Sequence, residues 1–140
     1  AYTVDQRATM FPDGTHGDVG EIWGPDELAA DHSWQRYLLQ VGYADHVVGQ
    51  ILDRLEETGL LDQCLFVVTA DHGCSFRAGL SQREPSPDSL PDILPVPLFI
   101  KRPGQLEGSR ITRNVETIDV LPTIADVLDY DWPGELDGES

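Results

Sequence analysis

The chain has 140 residues and sets 9 Lys and Arg against 25 Asp and Glu, a net charge of −16. That length holds one hydrophobic core, and an acidic chain without a cluster of basic residues repels phosphate backbones, which argues against a nucleic-acid partner. Hydrophobic residues make up 40 % and aromatic residues 8 %, the range of a folded domain rather than a disordered one, and no apolar run reaches the length of a bilayer span.

The chain opens AYTVDQ, with no initiator Met, basic n-region or apolar h-region, and is expected to be a piece of a longer protein. Residues 1–30 hold Pro12, Gly14, Gly17, Gly20, Gly24 and Pro25 among scattered apolar residues and read as an irregular approach segment, with His16 a solvated loop residue. From Asp31 the pattern changes. Trp34, Tyr37, Leu38, Val41, Ala44, Val48, Ile51, Leu52 and Leu55 recur at three- and four-residue steps, the period of one buried helical face. Asp31 or Ser33 is the expected N-cap and Gly59 the expected stop. Asp45 falls on or beside the buried stripe, where a charge needs a partner; His32 and His46 take no function.

Leu65 to Ala70 is an apolar, partly β-branched run, the composition of a strand covered on both faces. Residues 73–95 hold Pro85, Pro87, Pro91 and Pro95 among Ser, Asp and Gly and read as a long surface excursion. Val96 to Lys101 is expected to be a second strand, closed by Pro103-Gly104. Asp119 to Leu128 reads as a helix, capped by Thr117 or Asp119, with Pro122 in or near its first turn. The acidic tail 129–140 reads as coil. The fold class is therefore α/β: long helix, buried strand, long loop, second strand, C-terminal helix, with residues 31–128 as the structured portion. Two strands and two helices are too few for a complete doubly wound domain, so sheet edges and pairing into a homo-oligomer are expected.

One position stands out for chemistry, Asp71-His72-Gly73, directly after the first strand. In open α/β sheets ligands bind beyond the carboxyl ends of the strands. A carboxylate oxygen beside an imidazole nitrogen suits a divalent cation, Zn, Mn, Mg or Ca according to the remaining ligands; an ordinary turn with a solvated His is the alternative. Arg77 could grip an anionic substrate oxygen, since guanidinium forks match sulfate and phosphate, or sit in a surface salt bridge. Ser75 has no GxSxG elbow around it and reads as a loop hydroxyl. Cys74 reads as a buried small hydrophobe rather than a ligand. Cys64 and Cys74 form no disulfide framework and no zinc spacing.

The helix LLQVGYADHVVGQILDRLEETGLLD, the strand and turn LFVVTADHG, the strand VPLFIKRPGQLEG and the helix TIDVLPTIADVL followed by LDGES together resemble the C-terminal part of a sulfatase-like catalytic domain of the alkaline-phosphatase superfamily. ADHGCSFRAG with DILPVPLFIKRPGQ looks like its bacterial membrane-anchored branch. The resemblance, over roughly residues 34–140, implies a partial alkaline-phosphatase-like α/β sandwich in which Asp71 and His72 are two ligands of an active-site divalent metal, with Arg77 bound to the substrate's oxygens. It further implies a sulfate- or phosphate-ester substrate and a site on the extracytoplasmic side of a bacterial membrane. The family's nucleophile and a further acidic ligand belong to an N-terminal half missing from this chain, so no catalytic nucleophile is expected here and the fragment alone should be inactive. Typical arylsulfatases carry Asp-Asn at the matching turn. Asp-His is more usual in phosphonate and phosphodiester hydrolases and in phosphoglycerol transferases, so phosphoryl transfer stays open beside sulfate-ester hydrolysis, as does a non-catalytic binding module that keeps the fold.

Overall fold

The structure, a computed structural model, describes residues 22–140. Most of the expected approach segment, His16 included, lies outside the described residues. The described chain forms two compact units: residues 22–50 with His72–Val96, and Ile51–Asp71 with Pro97–Ser140. Mixed helices and strands make it a partial α/β fold.

Helix α1 runs Glu27–Glu57, beginning upstream of the expected Asp31. The cap is Asp26, whose Oδ1 accepts the backbone N–H of Leu28 at 2.9 Å and of Ala29 at 3.4 Å, so neither Asp31 nor Ser33 is needed for it. The stop at Gly59 is as read from the sequence. Gly59 adopts φ +69°, its N–H donates to the carbonyl of Glu56 and that of Leu60 to the carbonyl of Leu55, both at 2.9 Å, the paired bonds of a Schellman end. The apolar period of α1 is present but its cover is partial: Tyr37 is 41 % and Leu38 46 % exposed. Asp45 is exposed and pays no burial penalty, so the partner expected for it is not required.

In the unit that begins at Ile51, strand β1 (Phe66–Thr69) pairs antiparallel with β2 (Leu98–Lys101), Phe66 opposite Lys101 and Thr69 opposite Leu98. The burial on both faces expected of β1 is not reached. Phe66, Val67 and Val68 are half-buried and Thr69 is exposed, because β1 belongs to a two-stranded sheet. Lys101, the one lysine of the chain, turns its Nζ onto the carbonyls of Leu61 and Cys64, where the chain leaves α1. A 3₁₀ turn at Thr117–Asp119 leads into helix α3 (Val120–Val127). Asp119 Oδ2 accepts the N–H of Glu116 and its Oδ1 that of Glu139, each at 2.9 Å, so one carboxylate closes the helix entry and ties down the tail.

In the other unit the backbone of Trp23 brackets the excursion after the first strand. Its N–H donates to the Leu80 carbonyl at 2.8 Å and its carbonyl accepts from Gly79 at 3.0 Å, while Ile22 bridges Ser81. Trp23, Trp34 and Tyr37 gather around Phe76 at centroid distances of 5.1 to 5.7 Å, within the range of favourable ring pairs. The excursion is not coil throughout: Leu90–Ile93 form a single helical turn, α2. Ser89 is fully buried in front of it, donating from Oγ to the Glu84 carbonyl at 3.1 Å and accepting the N–H of Ser86 at 2.9 Å. Pro91 falls in the first turn, where a missing N–H costs nothing.

Candidate metal centre

Asp71 stands two residues beyond Thr69, the end of β1, and is exposed; His72 is half-buried. The imidazole of His72 is oriented by its own loop. Nδ1 lies 2.7 Å from the carbonyl oxygen of Gly73; a carbonyl only accepts, so Nδ1 carries a proton, and in the neutral ring the lone pair then belongs to Nε2. That is the tautomer a metal ligand needs, fixed in the way metal-binding histidines are commonly fixed, by a hydrogen bond from the other ring nitrogen. A carboxylate and an imidazole on consecutive residues fit a divalent cation as part of a larger donor set. Among the described residues no group of three or more His, Cys, Asp or Glu side chains gathers as a cation site.

Gly73 explains why the turn is shaped as it is. Its N–H donates to the Ile93 carbonyl at 2.7 Å, and a β-carbon there would stand 2.2 Å from the Asp92 carbonyl oxygen and 3.0 Å from that of Ile93. Only a residue without a side chain brings the turn this close to α2.

The residues that follow are held by the same turn of helix. Ser75 is fully buried and its Oγ donates to Asp92 Oδ2 at 2.9 Å, so the loop hydroxyl expected there is a buried clamp. The Trp23 indole N–H donates to the Ser75 carbonyl at 2.7 Å, and the Ser75 N–H to the Gln82 carbonyl at 3.0 Å. Arg77 forks onto Asp92, Nε to Oδ2 and Nη2 to Oδ1, both at 2.9 Å. This is the salt-bridge alternative for Arg77, in bidentate form, and it engages one edge of the guanidinium. Cys74 is half-buried. Burial pushes its thiol above the ordinary value against the pull of the Arg83 charge, so it remains a thiol at neutral pH. Asp92 is the residue that sequence reasoning missed. It lies 17 residues from Ser75 and 15 from Arg77, and no motif spacing marks it; the one available signal is a carboxylate in an otherwise apolar LPDIL segment.

The sulfatase family model matches residues 3–130, nearly the whole chain. The chain belongs to the sulfatase family. Among curated sulfatases it is similar to a choline-sulfatase of Rhizobium meliloti, 32 % identical over 96 residues that cover 68 % of this chain and 18 % of that protein. It is similar also to arylsulfatase K of Danio rerio, 28 % identical over 105 residues, 74 % of this chain and 20 % of the relative. To the human N-sulphoglucosamine sulphohydrolase it is 29 % identical over 109 residues, 78 % of this chain and 21 % of the relative. This sulfatase-family chain thus spans about a fifth of the length of the curated relatives it matches.

Proposed function

We propose that this chain supplies Asp71 and His72 as two ligands of a divalent metal in the active site of a sulfatase-family hydrolase that cleaves sulfate esters. The observation that carries the reading is the hydrogen bond from His72 Nδ1 to the Gly73 carbonyl, which makes Nε2 the electron-pair donor of the neutral ring, on a residue next to a carboxylate. Family membership and the names of the relatives, all sulfatases, support the substrate class. When bound, the cation supplies Lewis acidity and neutralises charge on the transferring group. Within the chain, Asp71 offers a hard oxygen, His72 a borderline nitrogen, and Gly73 keeps the imidazole in the productive tautomer. Arg77 presents the Nη1 edge of its guanidinium, outside the pair with Asp92, to an anionic substrate oxygen. The nucleophile and further ligands are proposed to lie elsewhere in the protein, so the 140 residues alone do not turn over.

A second reading, phosphoryl-ester hydrolysis or transfer, is favoured by one observation: His rather than Asn follows Asp71. Both readings are tested on the full-length protein with nitrophenyl sulfate and nitrophenyl phosphate as parallel substrates. Sulfate-ester turnover that is abolished by chelation, restored by added metal and lowered about 100-fold or more by Asp71→Ala or His72→Ala is expected; the scale exceeds the lower bound typical of residues one shell further out. Preference for the phosphate ester selects the second reading. Turnover indifferent to chelation and to both substitutions removes the metal centre.

A further inference from the structure

We infer that Asp92 is a positioning residue for the metal turn, holding the loop after His72 against α2 so that the imidazole Nε2 is presented in one orientation. The inference rests on the metal reading of His72 and adds to it the element that aims the ligand.

Three contacts converge on that role, all within the unit that contains His72–Val96. The backbone of α2 receives Gly73, through the Ile93 carbonyl and through close approach to the Asp92 carbonyl oxygen. Gly73 in turn offers the carbonyl that accepts from His72 Nδ1. The Asp92 carboxylate then fastens the next residues of the loop by taking the buried Ser75 hydroxyl and two N–H groups of Arg77. One residue therefore contacts the turn on its main chain and anchors its exit on its side chain. A carboxylate that only stabilised the surface would not need a fully buried hydroxyl as a partner. Charge-assisted bonds of this kind are directional as well as strong, and partners of metal-bound histidines one shell out set ring orientation and ligand strength.

The test uses the full-length protein stripped of metal and titrated calorimetrically with Mn²⁺ alone and with Zn²⁺ alone. Four forms are compared: unmodified, Asp92→Ala, His72→Ala and the double variant. Asp92→Ala is expected to weaken binding of the metal that His72 holds by about 10-fold, the scale of such outer partners, and to add nothing once His72 is gone, because contacts that act through one group are not additive. Asp92→Glu, which keeps the charge, is expected to restore part of the loss. Metal affinity unchanged by Asp92→Ala while His72→Ala weakens it overturns the positioning role and leaves the metal centre standing. Affinity for both metals unchanged by His72→Ala overturns the metal reading, and the positioning role falls with it. Equal weakening by Asp92→Ala in both backgrounds makes Asp92 a prop of the fold and overturns the inference. Should Asp92→Ala not fold, Asp92→Asn, which keeps an oxygen for Ser75 and gives up the charge toward Arg77, goes through the same cycle with the same expected sign.

Discussion

A hydrogen atom is all that position 73 accommodates. Replacing it with a methyl group sets a β-carbon 2.2 Å from the Asp92 carbonyl oxygen, and that oxygen belongs to main chain, which cannot swing aside as a flexible side chain could. The loop or α2 must shift, breaking the bond from the Gly73 N–H to Ile93 and freeing the carbonyl that orients His72. Gly73→Ala is therefore expected to destabilise by about 1–3 kcal/mol, the range of overpacking in a filled site, and to weaken metal binding beyond what the stability loss explains. Gly42, on α1 with nothing within 4 Å of a built β-carbon, is the control of opposite sign. There Ala is expected to stabilise by about 0.5–1 kcal/mol, since it removes backbone entropy from an open helical position. Urea unfolding of the two variants, with metal titration of the first, checks both. The same scale separates Ser75 from the reading given it by sequence. Its hydroxyl has no neighbouring motif, and only the chain's return through α2 brings a carboxylate to it.

At the scale of elements, α1, the two strands and α3 were legible because their signals are local: a helical period, a β-branched run, a Gly stop, a Pro near a helix start. The boundaries that moved did so for local reasons too. Asp26 caps α1 ahead of Asp31, and Thr117–Asp119 tighten into a 3₁₀ turn before α3. What was not legible depends on contacts distant in sequence. The α2 turn is hidden in a proline-rich stretch, and the docking of the tail onto α3 runs from Asp119 to Glu139. A β-carbon on Gly138 would fall 2.3 Å from the Ile118 carbonyl oxygen, so that docking is close. Its pH dependence follows from the same carboxylate. The N–H groups of Glu116 and then Glu139 hold the Asp119 carboxyl below its ordinary value, so the folded state favours the ionised form more than the unfolded state does. The stabilisation is fully present above the ordinary carboxylate range, near pH 4, and is lost as pH falls through the lowered value. Protection of the Glu116 and Glu139 amides, measured against their intrinsic exchange rates, is expected to fall below about pH 4. Asp119→Asn, which keeps an oxygen and loses the charge, is expected to remove that acid dependence while raising exchange at neutral pH.

At the scale of the whole molecule, the balance between apolar surface and cover governs how these 140 residues behave by themselves. Leu38, Leu39, Val41, Tyr43 and Ile51 of α1 are each 44–58 % exposed, although the period that carries several of them is that of a buried face. Phe99 on β2 is 66 % exposed, in a two-stranded sheet whose strands each have one edge outside the ladder. A two-stranded sheet is marginal in water without further layers, and apolar surface of this extent marks a face made to be covered. The net charge of −16 opposes association at low salt and is screened as ionic strength rises. Produced alone, the chain is therefore expected to bind the hydrophobic dye ANS and to self-associate through α1 and the strand edges. Its sedimentation should shift from monomer toward larger species between low salt and about 0.5 M, where the Debye length falls below ~5 Å. Phe99→Lys places a charge on the sheet, a device natural sheets use against edge pairing, and should reduce the association without altering α1. A chain that stays monomeric and dye-silent across that range would mean that the exposed faces are closed by rearrangement within the 140 residues, and the cover they lack would not have to come from another polypeptide segment.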